Sequence, residues 1–392
     1  MAAVSNADFV QWETWKMKAF SYCMPTRIVM ERGAIEKLGE LMPKANSVTV
    51  VTGRGFARRT GLCDRLESIL RKAGVREVSF SSVTSNPTVS QVEAAGKLAR
   101  ETGAELLIGL GGGSAMDAAK GAAVLATNRK PLVELFPIHR FEHAPLPLIC
   151  IPTTAGTGSE TTQYAIINND EGTDKLNLNS PRTFPVLALL DPELSVTMPK
   201  DITADTGLDA LSHAVEGYLT RRSQPLADSL ALESIRAVRD NLPAAVRDGR
   251  DLDARAGMLY AAGVAGMVIA QAGTTVLHAL GYYLTLRYGV PHGRANGALL
   301  GHYFKLLEDS CPEKIGKIYA IFDAQQEGYA AFLNFAESLG VPTTLRSYGV
   351  REEDINAFRD YVMAKRNTAQ TPRALTPGDV TGLLTEALDG VL

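Results

Sequence analysis

The sequence predicts two domains, an N-terminal α/β domain with a parallel sheet and a C-terminal domain made of helices alone. At 392 residues, the chain is longer than a single hydrophobic core usually grows. Apolar runs typical of strands alternate with helical patterns, which indicates parallel strands joined by right-handed crossovers. After about Pro192 only helical periodicity continues. We therefore expect an extension at 1–19, the α/β domain at 20–195 and the helical domain at 196–392.

In the first domain, short apolar runs bounded by glycine, proline or a helical pattern predict five strands. These runs are 47–52, 77–80, 106–110, 146–151 and 186–190. Helical periodicity appears at 62–73 and 89–102, and a further helix is expected directly after the glycine run at 111–113. Strands and helices in this alternation place the strand ends along one edge of the sheet, where open α/β sheets bind their ligands.

In the second domain the helical patterns begin near Asp205, which together with Thr203 is a candidate N-cap. Further helices are expected at 226–242, 326–339 and 352–365, and a last one opens at Thr376. The segment 256–286 carries no charged residue and is long enough to span a bilayer. Glycines and polar side chains interrupt it, however, so we expect it to form the central helices of a helical core.

Composition excludes several classes of function. The chain is 45% hydrophobic and 21% charged, as in ordinary globular proteins. Its net charge of −3 and the lack of a basic run argue against nucleic acid as a partner. The four cysteines show no C-x-x-C spacing, which is typical of a reducing compartment. Residues 1–8 lack the apolar core of a signal peptide. We expect a cytoplasmic protein without a membrane partner.

Asp209, His213, His278 and His292 are candidates for a single metal site. Asp209 and His213 are four residues apart, so on a helix they share one face about a turn from each other. On one straight helix His278 and His292 would be roughly 21 Å apart. The Gly-Val-Pro stretch that directly precedes His292 predicts a break, and two antiparallel helices can then bring both imidazoles together.

Each of these residues also has an ordinary structural interpretation. A histidine on an apolar face, such as His278, is commonly a core residue, and Asp-x-x-x-His is often only an i,i+4 pair. Taken together, however, the four residues place three of the six histidines and a carboxylate in one helical region. Such a ligand set suits a borderline divalent metal, either Fe(II) or Zn(II).

The glycine run Gly111-Gly112-Gly113-Ser114 follows an apolar strand and opens a helix. Glycines let a phosphate approach free backbone N–H groups, and the helix dipole lies behind it. The run therefore predicts a diphosphate site, although it is not the G-x-G-x-x-G pattern and flexible turns can look similar. A second loop, 152–160, follows the next strand and carries clustered hydroxyls with two glycines. Such a loop offers hydrogen-bond donors to a second face of a dinucleotide.

Four motifs occur in this order: Gly111-Gly-Gly-Ser-x-x-Asp-x-x-Lys120, Pro152-Thr-Thr-Ala-Gly-Thr-Gly-Ser-Glu160, Asp209-Ala-Leu-Ser-His-Ala-Val-Glu-Gly217 and His278-x13-His292-Gly293. Together they closely resemble the iron-containing (group III) alcohol dehydrogenase family, over roughly residues 22–390. The resemblance implies a Rossmann-like domain that binds NAD(P), a helical domain that binds the metal, and substrate in the cleft between them. This is the architecture shared with dehydroquinate synthase.

The resemblance also implies roles for individual residues. Asp209, His213, His278 and His292 would be the metal ligands. The dinucleotide would be bound by Gly53, Arg54, Asn86, Gly111, Gly112, Gly113, Ser114, Asp117, Thr153, Thr154, Thr157, Gly158 and Lys175. Within this set, Gly111–Ser114 would hold the pyrophosphate, residues of the second loop would line the nicotinamide side, and Lys175 matches a lysine that often reaches the cofactor.

Two departures from the family pattern affect the expected chemistry. Many members carry a histidine four residues after the third ligand, where this chain has Tyr282, so a proton relay through that imidazole is replaced at best by a phenol. NAD-restricted members often place an Asp after the first strand, where this chain has Gly53-Arg54. Without that carboxylate a 2′-phosphate is not repelled, and Arg54, Arg58 or Arg59 can pair with it. We therefore favour NADP over NAD.

The resemblance implies a metal-dependent alcohol dehydrogenase or aldehyde reductase that moves a hydride between NAD(P)H and a small aldehyde or primary alcohol. Arg294 follows His292-Gly293 and can favour an anionic aldehyde bearing a carboxylate or phosphonate, although a solvated or helix-capping arginine is the simpler interpretation. A dehydroquinate synthase-like lyase, a metal-free maleylacetate reductase and a non-catalytic dinucleotide sensor are the alternatives. The apolar helical domain predicts a homodimer or a larger homo-oligomer.

Overall fold

The computed structural model describes residues 19–136, 141–322 and 328–390. The expected extension at 1–19 therefore lies outside the described residues except for Ala19.

A six-stranded parallel sheet forms the centre of the first domain, in the order β1-β8-β5-β4-β2-β3. Its strands are β1 (Arg27–Met30), β2 (Ser47–Gly53), β3 (Arg76–Val83), β4 (Leu106–Gly111), β5 (Leu148–Pro152) and β8 (Leu187–Leu190). All five predicted strands are present, and β1 is an addition. Because the chain runs outwards from β2 to β3 and then returns to β4 on the other side of β2, the crevice for a ligand opens between the ends of β2 and β4.

Helices cover both faces of this sheet. The helices of the first domain are α1 (Leu38–Leu41), α2 (Phe56–Arg59), α3 (Leu62–Lys72), α4 (Val89–Glu101) and α5 (Gly113–Thr127). Leu66 of α3 packs with Val50 on one face, whereas Val92 of α4 packs with Leu107 on the other. Strands buried on both sides explain why these runs are continuously apolar in the sequence rather than alternating.

An antiparallel hairpin, β6 (Tyr164–Asn168) and β7 (Lys175–Asn179), forms a second small sheet that the sequence did not predict. Both of its strands mix apolar and polar residues and are short, so they lack the continuous apolar runs by which the parallel strands were recognised. The hairpin brings Lys175 into the functional site.

The second domain is helical throughout its described residues. Its helices are α6 (Lys200–Leu219), α7 (Pro225–Arg247), α8 (Leu252–Ala272), α9 (Val276–Tyr288), α10 (His292–Leu307), α11 (Pro312–Ile321), α12 (Gly328–Ser338), α13 (Ile355–Ala364) and α14 (Pro377–Asp389). The predicted N-cap of α6 is wrong, because the helix begins just after Pro199 and both Thr203 and Asp205 lie inside it. The Thr203 hydroxyl instead donates back to the Pro199 carbonyl, at 2.9 Å.

The predicted break between His278 and His292 is present. Helix α9 ends at Tyr288, where Gly289 has a φ of 69°, and α10 begins at His292. A left-handed residue after a helix is most often glycine, because glycine has no Cβ to oppose that conformation. The reversal lets the ring of His292 approach that of His278 to 5.0 Å between centroids.

Helix α8 is the one described helix that is long and apolar enough to cross a membrane by length and composition. Its most apolar stretch is 67% buried inside the protein, as expected for a core helix. The segment 256–286 thus forms α8 and most of α9, in the core of the helical domain, as predicted.

Candidate active site

A cleft of about 380 Å³ opens at the ends of β2, β3 and β4. Of the predicted cofactor-binding residues, it is lined by Gly53, Arg54, Gly111, Gly112, Ser114 and Thr153. Gly111 is the last residue of β4 and pairs with Pro152 of β5, and its carbonyl accepts the N–H of Thr153 at 2.9 Å. The two predicted loops therefore begin side by side.

The glycines allow these two loops to touch. Gly111 has a φ of 145°, which favours glycine. A Cβ on Gly113 would lie 2.6 Å from Thr157 Cγ2, and one on Gly112 would lie 3.2 Å from Thr154 Oγ1. The threonine hydroxyls of the second loop thus lie directly against the backbone of the first.

Asn86 joins the cleft to the β6–β7 hairpin. Its φ is 57°, and its N–H donates to Ser114 Oγ at 3.1 Å. Its Oδ1 accepts from Lys175 Nζ at 3.4 Å. Burial lowers the pKa of Lys175 to about 8, and the Asp209 and Asp117 carboxylates oppose that shift. Three predicted cofactor residues therefore form one chain of contacts from the glycine run to the metal side.

Asp117 is not free to line the diphosphate site. Its carboxylate accepts Ser159 Oγ at 2.6 Å and the Ile166 N–H at 2.9 Å, beneath the second loop. Lys120, which is fully buried, donates to the Ser159 carbonyl at 2.7 Å and to the Tyr164 carbonyl at 2.6 Å. This pair holds the loop between β5 and β6 against α5.

The second loop also contacts the helical domain. A Cβ on Gly156 would lie 2.7 Å from the Thr206 carbonyl of α6, and one on Gly158 would lie 2.5 Å from Gly266 Cα of α8. Gly158 has a φ of 61°, so glycine is favoured there for conformation as well as for space. These contacts bring the dinucleotide loops next to the helix that carries Asp209.

Asp209, His278 and His292 converge at this junction, with one ligand atom from each lying within 4.8 Å of the others. They come from α6, α9 and α10. A Cβ on Gly293 would lie 1.9 Å from the Asp205 carbonyl, so the start of α10 can approach α6 because this residue is glycine. His213 lies beside the cluster, with its ring stacked on that of His278 at 4.7 Å between centroids, but it is not one of these three residues.

The donor set fits a divalent metal. His213 Nδ1, His278 Nε2 and His292 Nδ1 are buried and have no hydrogen-bond partner in the part of the chain that the structure describes. Burial lowers the pKa of His213, and burial with the Lys175 ammonium lowers the pKa of His292 well below its ordinary value. Neutral imidazoles with a carboxylate are ligands that zinc and iron accept.

Comparison with known proteins identifies the family. Residues 25–192 match the family described as iron-containing alcohol dehydrogenase. Residues 203–388 match the one described as Fe-containing alcohol dehydrogenase family, C-terminal. The chain belongs to the iron-containing alcohol dehydrogenase family. The predicted resemblance, fold class and reaction class are thereby confirmed, and the chain is a metal-dependent alcohol dehydrogenase, an oxidoreductase that acts on CH–OH groups.

Three relatives illustrate the range of this family. Alcohol dehydrogenase 4 of Saccharomyces cerevisiae is 32% identical over 366 residues, which cover 91% of this chain and 95% of the yeast protein. The structure of alcohol dehydrogenase from Oenococcus oeni superposes with a TM-score of 0.90 at 30% identity, covering 94% of this chain and 100% of the other. Sulfoacetaldehyde reductase from Bifidobacterium kashiwanohense, in complex with NAD+, has a TM-score of 0.87 at 29% identity, covering 95% and 99%.

Members of the iron-containing alcohol dehydrogenase family use NAD(H) and a divalent metal, iron. Small-molecule alcohols or aldehydes fit the relatives as substrates. These properties agree with a cleft suited to a dinucleotide and with the adjoining cluster of Asp209, His278 and His292.

Tyr282, the residue that departs from the family pattern, packs against the metal cluster. Its ring stacks on that of His292 at 5.0 Å between centroids, and Lys175 Nζ lies 4.8 Å from its centroid. Burial raises the pKa of Tyr282 well above that of a free phenol, and the nearby carboxylates, chiefly that of Asp209, add to the shift. The phenol is therefore neutral and a poor proton donor.

Arg294 is engaged in an ion pair rather than free. Its Nε donates to Asp205 Oδ1 at 2.8 Å, and both side chains are largely covered. This interaction links the first turn of α10 to α6 and agrees with the simpler structural interpretation of Arg294.

Two buried residues beside the metal cluster received no role from the sequence. Glu216 accepts a hydrogen bond from His278 Nδ1, and Asn296 Nδ2 donates to Asp209 Oδ1 at 3.3 Å. Burial opposes protonation of His278, but the Glu216 carboxylate outweighs it and raises the pKa of the imidazole. The sequence signal for both residues was their spacing from a candidate metal ligand. Glu216 follows His213 by three residues and Asn296 follows His292 by four, so each pair lies on one helix face.

Proposed function

We propose that this chain interconverts small neutral aldehydes and primary alcohols at a divalent metal bound by Asp209, His213, His278 and His292. The observation that carries the proposal is the convergence of Asp209, His278 and His292 within 4.8 Å, beside the loops of the dinucleotide cleft. A metal bound there would polarise the substrate oxygen, while the nicotinamide would supply or accept the hydride. His213 completes the set as a fourth ligand and third imidazole, because its ring stacks on that of His278.

The chain's own residues would align the reactants and exclude water. The glycine run Gly111–Gly113, with Ser114, would hold the pyrophosphate at the start of α5. Thr153, Thr154, Thr157 and Gly158 would support the nicotinamide where the second loop meets α6 and α8. Tyr282 would close the substrate space against His292, because its ring already covers that imidazole.

The cofactor is proposed to be NADP, with NAD as the alternative. No acidic side chain is among the residues that line the described cleft, whereas Arg54 is. Its Nε donates to the Ser82 carbonyl at 3.3 Å, at an exposed position. A guanidinium at the adenosine end favours a 2′-phosphate through charge-assisted hydrogen bonds. The relative crystallised with NAD+ is the argument for the alternative.

The metal is proposed to be Fe(II), with Zn(II) as the alternative. Imidazole and carboxylate ligands accept both ions, so the ligand set does not separate them. The family description favours iron.

A neutral substrate is favoured over an anionic one. Arg294, the cation that would have bound a carboxylate or phosphonate, is paired with Asp205. The relative named sulfoacetaldehyde reductase supports the alternative of an anionic aldehyde, whose charge would be bound by Lys175, with Nζ 4.8 Å from the Tyr282 ring centroid. The family assignment removes the lyase and the sensor from consideration.

We also propose that the protein acts in the cytoplasm as a homodimer or a larger homo-oligomer. All four cysteines are free, which agrees with a reducing compartment. Among the described residues, β1 and β3 are the edge strands of the six-stranded sheet, and a second copy can cover their ladder groups. Light scattering coupled to size exclusion would measure the assembly.

The test is anaerobic turnover of metal-stripped protein reloaded with Fe(II) or Zn(II), with NADPH and NADH compared against neutral and anionic short aldehydes. The proposal expects metal-dependent oxidation of NADPH, fastest with neutral aldehydes. Oxidation that continues at full rate in the metal-stripped protein would reject the metal centre. Preference for anionic aldehydes would reject only the substrate assignment.

A further inference from the structure

Glu216 is a fully buried carboxylate on α6, and its two oxygens have different hydrogen-bond partners. Its Oε1 accepts three hydrogen bonds at the start of α9, from the Thr275 N–H at 2.7 Å, the Thr275 hydroxyl at 2.6 Å and the His278 N–H at 3.2 Å. Its Oε2 faces His278 Nδ1. One carboxylate therefore holds both the backbone and the imidazole of His278.

The three hydrogen-bond donors to Glu216 Oε1 determine which nitrogen of the His278 ring carries a proton. Three N–H and O–H donors on Oε1 favour the ionised form of the Glu216 carboxyl group, so Oε2 accepts from Nδ1 and Nδ1 carries a proton. The other ring nitrogen, Nε2, is buried without a hydrogen-bond partner among the described residues. Its lone pair is thereby available on the side of Asp209 and His292, with which His278 clusters.

The state of Glu216 agrees with this assignment. Two of the three donors to Oε1 come from Thr275, and hydrogen bonds donated to a carboxylate stabilise its ionised form. Thr275 is held in turn by Tyr303, whose hydroxyl lies 2.9 Å from Thr275 Oγ1. The carboxylate thus lies in a hydrogen-bonded environment that keeps it ionised and oriented.

We propose that Glu216 is a positioning residue that selects the tautomer of His278 able to bind metal through Nε2. The inference rests on the metal centre proposed above. Outer partners of metal-binding histidines typically orient the ring and raise its basicity, and their loss costs about 10- to 100-fold in metal affinity. Glu216 also adds a second carboxylate charge near a divalent ion, beside that of Asp209.

Glu216→Gln separates this role from a purely structural one. The three donors at the start of α9 require the amide oxygen of Gln to take the place of Oε1, since an NH₂ group there would face three donors. The NH₂ group then points at His278 Nδ1 and can only donate. Nδ1 must become an acceptor, the ring proton moves to Nε2, and the ligand lone pair is lost.

A residue that merely caps α9 would behave differently. The Gln oxygen preserves all three hydrogen bonds at the helix start, so a capping role alone predicts unchanged metal affinity in Glu216→Gln. The matched control is Glu160→Gln, because Glu160 is also a fully buried carboxyl and its Oε1 has no hydrogen-bond partner in the described chain.

The experiment measures Zn(II) affinity by competition with a chromophoric chelator, and the absorption spectrum of the Co(II)-loaded protein. We expect Glu216→Gln to bind Zn(II) about 10- to 100-fold more weakly than wild type and to show an altered Co(II) spectrum. Glu160→Gln should match wild type in both. Equal affinity and equal spectra in Glu216→Gln and Glu160→Gln would overturn the proposal.

A second measurement needs no substitution at Glu216, in case that variant does not fold. Long-range ¹⁵N–¹H spectra of histidine-labelled, Zn(II)-loaded wild type report which ring nitrogen bears the proton, and His278→Ala identifies the signal. The proposal expects a protonated Nδ1 on His278, and a protonated Nε2 would refute it. Failure of the metal centre itself is distinct, because wild type would then bind no Zn(II) or His278→Ala would lose none.

Discussion

The two halves of the active site are built in opposite ways. The dinucleotide cleft is shaped by backbone and by missing side chains, since Gly112 and Gly113 allow the threonine loop to lie against the start of α5. The metal cluster is built from side chains, each on a different helix; Asp209 and His278 are buried and His292 is partly exposed. The dinucleotide cleft therefore depends on close approach between main-chain segments, whereas the metal cluster depends on the orientation of a few ionisable side chains.

The largest effect is expected from loss of a metal ligand. His278→Ala should abolish tight Zn(II) or Fe(II) binding and reduce turnover by more than the roughly 100-fold that follows loss of an outer partner. Dinucleotide affinity, measured by NADPH fluorescence, should stay within about twofold, because the cleft is built from other residues. If NADPH binding falls together with metal binding, the two halves are not separable as described.

Glu160, the last residue of the second loop, lies against Gly263 of α8 and should give a pH-dependent effect. Burial raises the pKa of Glu160 to about 7, whereas an exposed glutamate titrates near 4.3. Between these values the folded state binds more protons than the unfolded state, so the free energy of unfolding falls as pH rises and the loss is complete above about pH 7. Glu160→Gln cannot titrate and should lack this fall, which is on the order of 3 kcal/mol.

Urea unfolding of wild type and Glu160→Gln at pH 5 and pH 8 measures this difference. The variant also loses an attraction to Lys120, so the comparison uses the change with pH rather than the absolute stability. Parallel pH dependence in both proteins would show that Glu160 is not protonated in the folded state.

The glycine run should respond to a single methyl group. Gly113→Ala would place its Cβ 2.6 Å from Thr157 Cγ2, and overpacking of this kind costs about 1–3 kcal/mol. We expect KM for the dinucleotide to rise roughly tenfold, with metal affinity unchanged. The matched control is Gly316→Ala, where a Cβ meets nothing within 4 Å and both quantities should stay the same. Equal behaviour of the two alanine variants would contradict the close-approach argument.

The smallest effect concerns the choice of dinucleotide. Arg54→Ala should lower kcat/KM for NADPH by roughly tenfold and leave that for NADH unchanged, since an exposed cation contributes modestly. Arg71→Ala removes the same charge from the far end of α3, where its ion-pair partner is Glu67, and should change neither value. An unchanged NADPH preference in Arg54→Ala would reject Arg54 as the residue that binds the 2′-phosphate.

The sequence was most informative where function is carried by contiguous motifs. All five predicted strands, the break before His292 and the start of α5 at the glycine run are present in the structure. The β6–β7 hairpin and the start of α6 were missed or misplaced, because short mixed strands and a helix preceded by proline give weak local signals. The sequence also did not indicate that Asp117, predicted beside the diphosphate, accepts a hydrogen bond from Ser159 of the second loop.

The sequence alone indicated the family and the order of a strand-containing half followed by a helical half, and it predicted which residues bind a metal and a dinucleotide. These depend on local spacing and on ordered motifs. The tertiary structure decided that Arg294 is neutralised by Asp205, that Tyr282 stacks on His292, and that Glu216 contacts His278 across 62 residues of chain. Hydrogen-bond partners and burial depend on which helices, distant in sequence, pack together. The periodicity of a single helix cannot specify that packing.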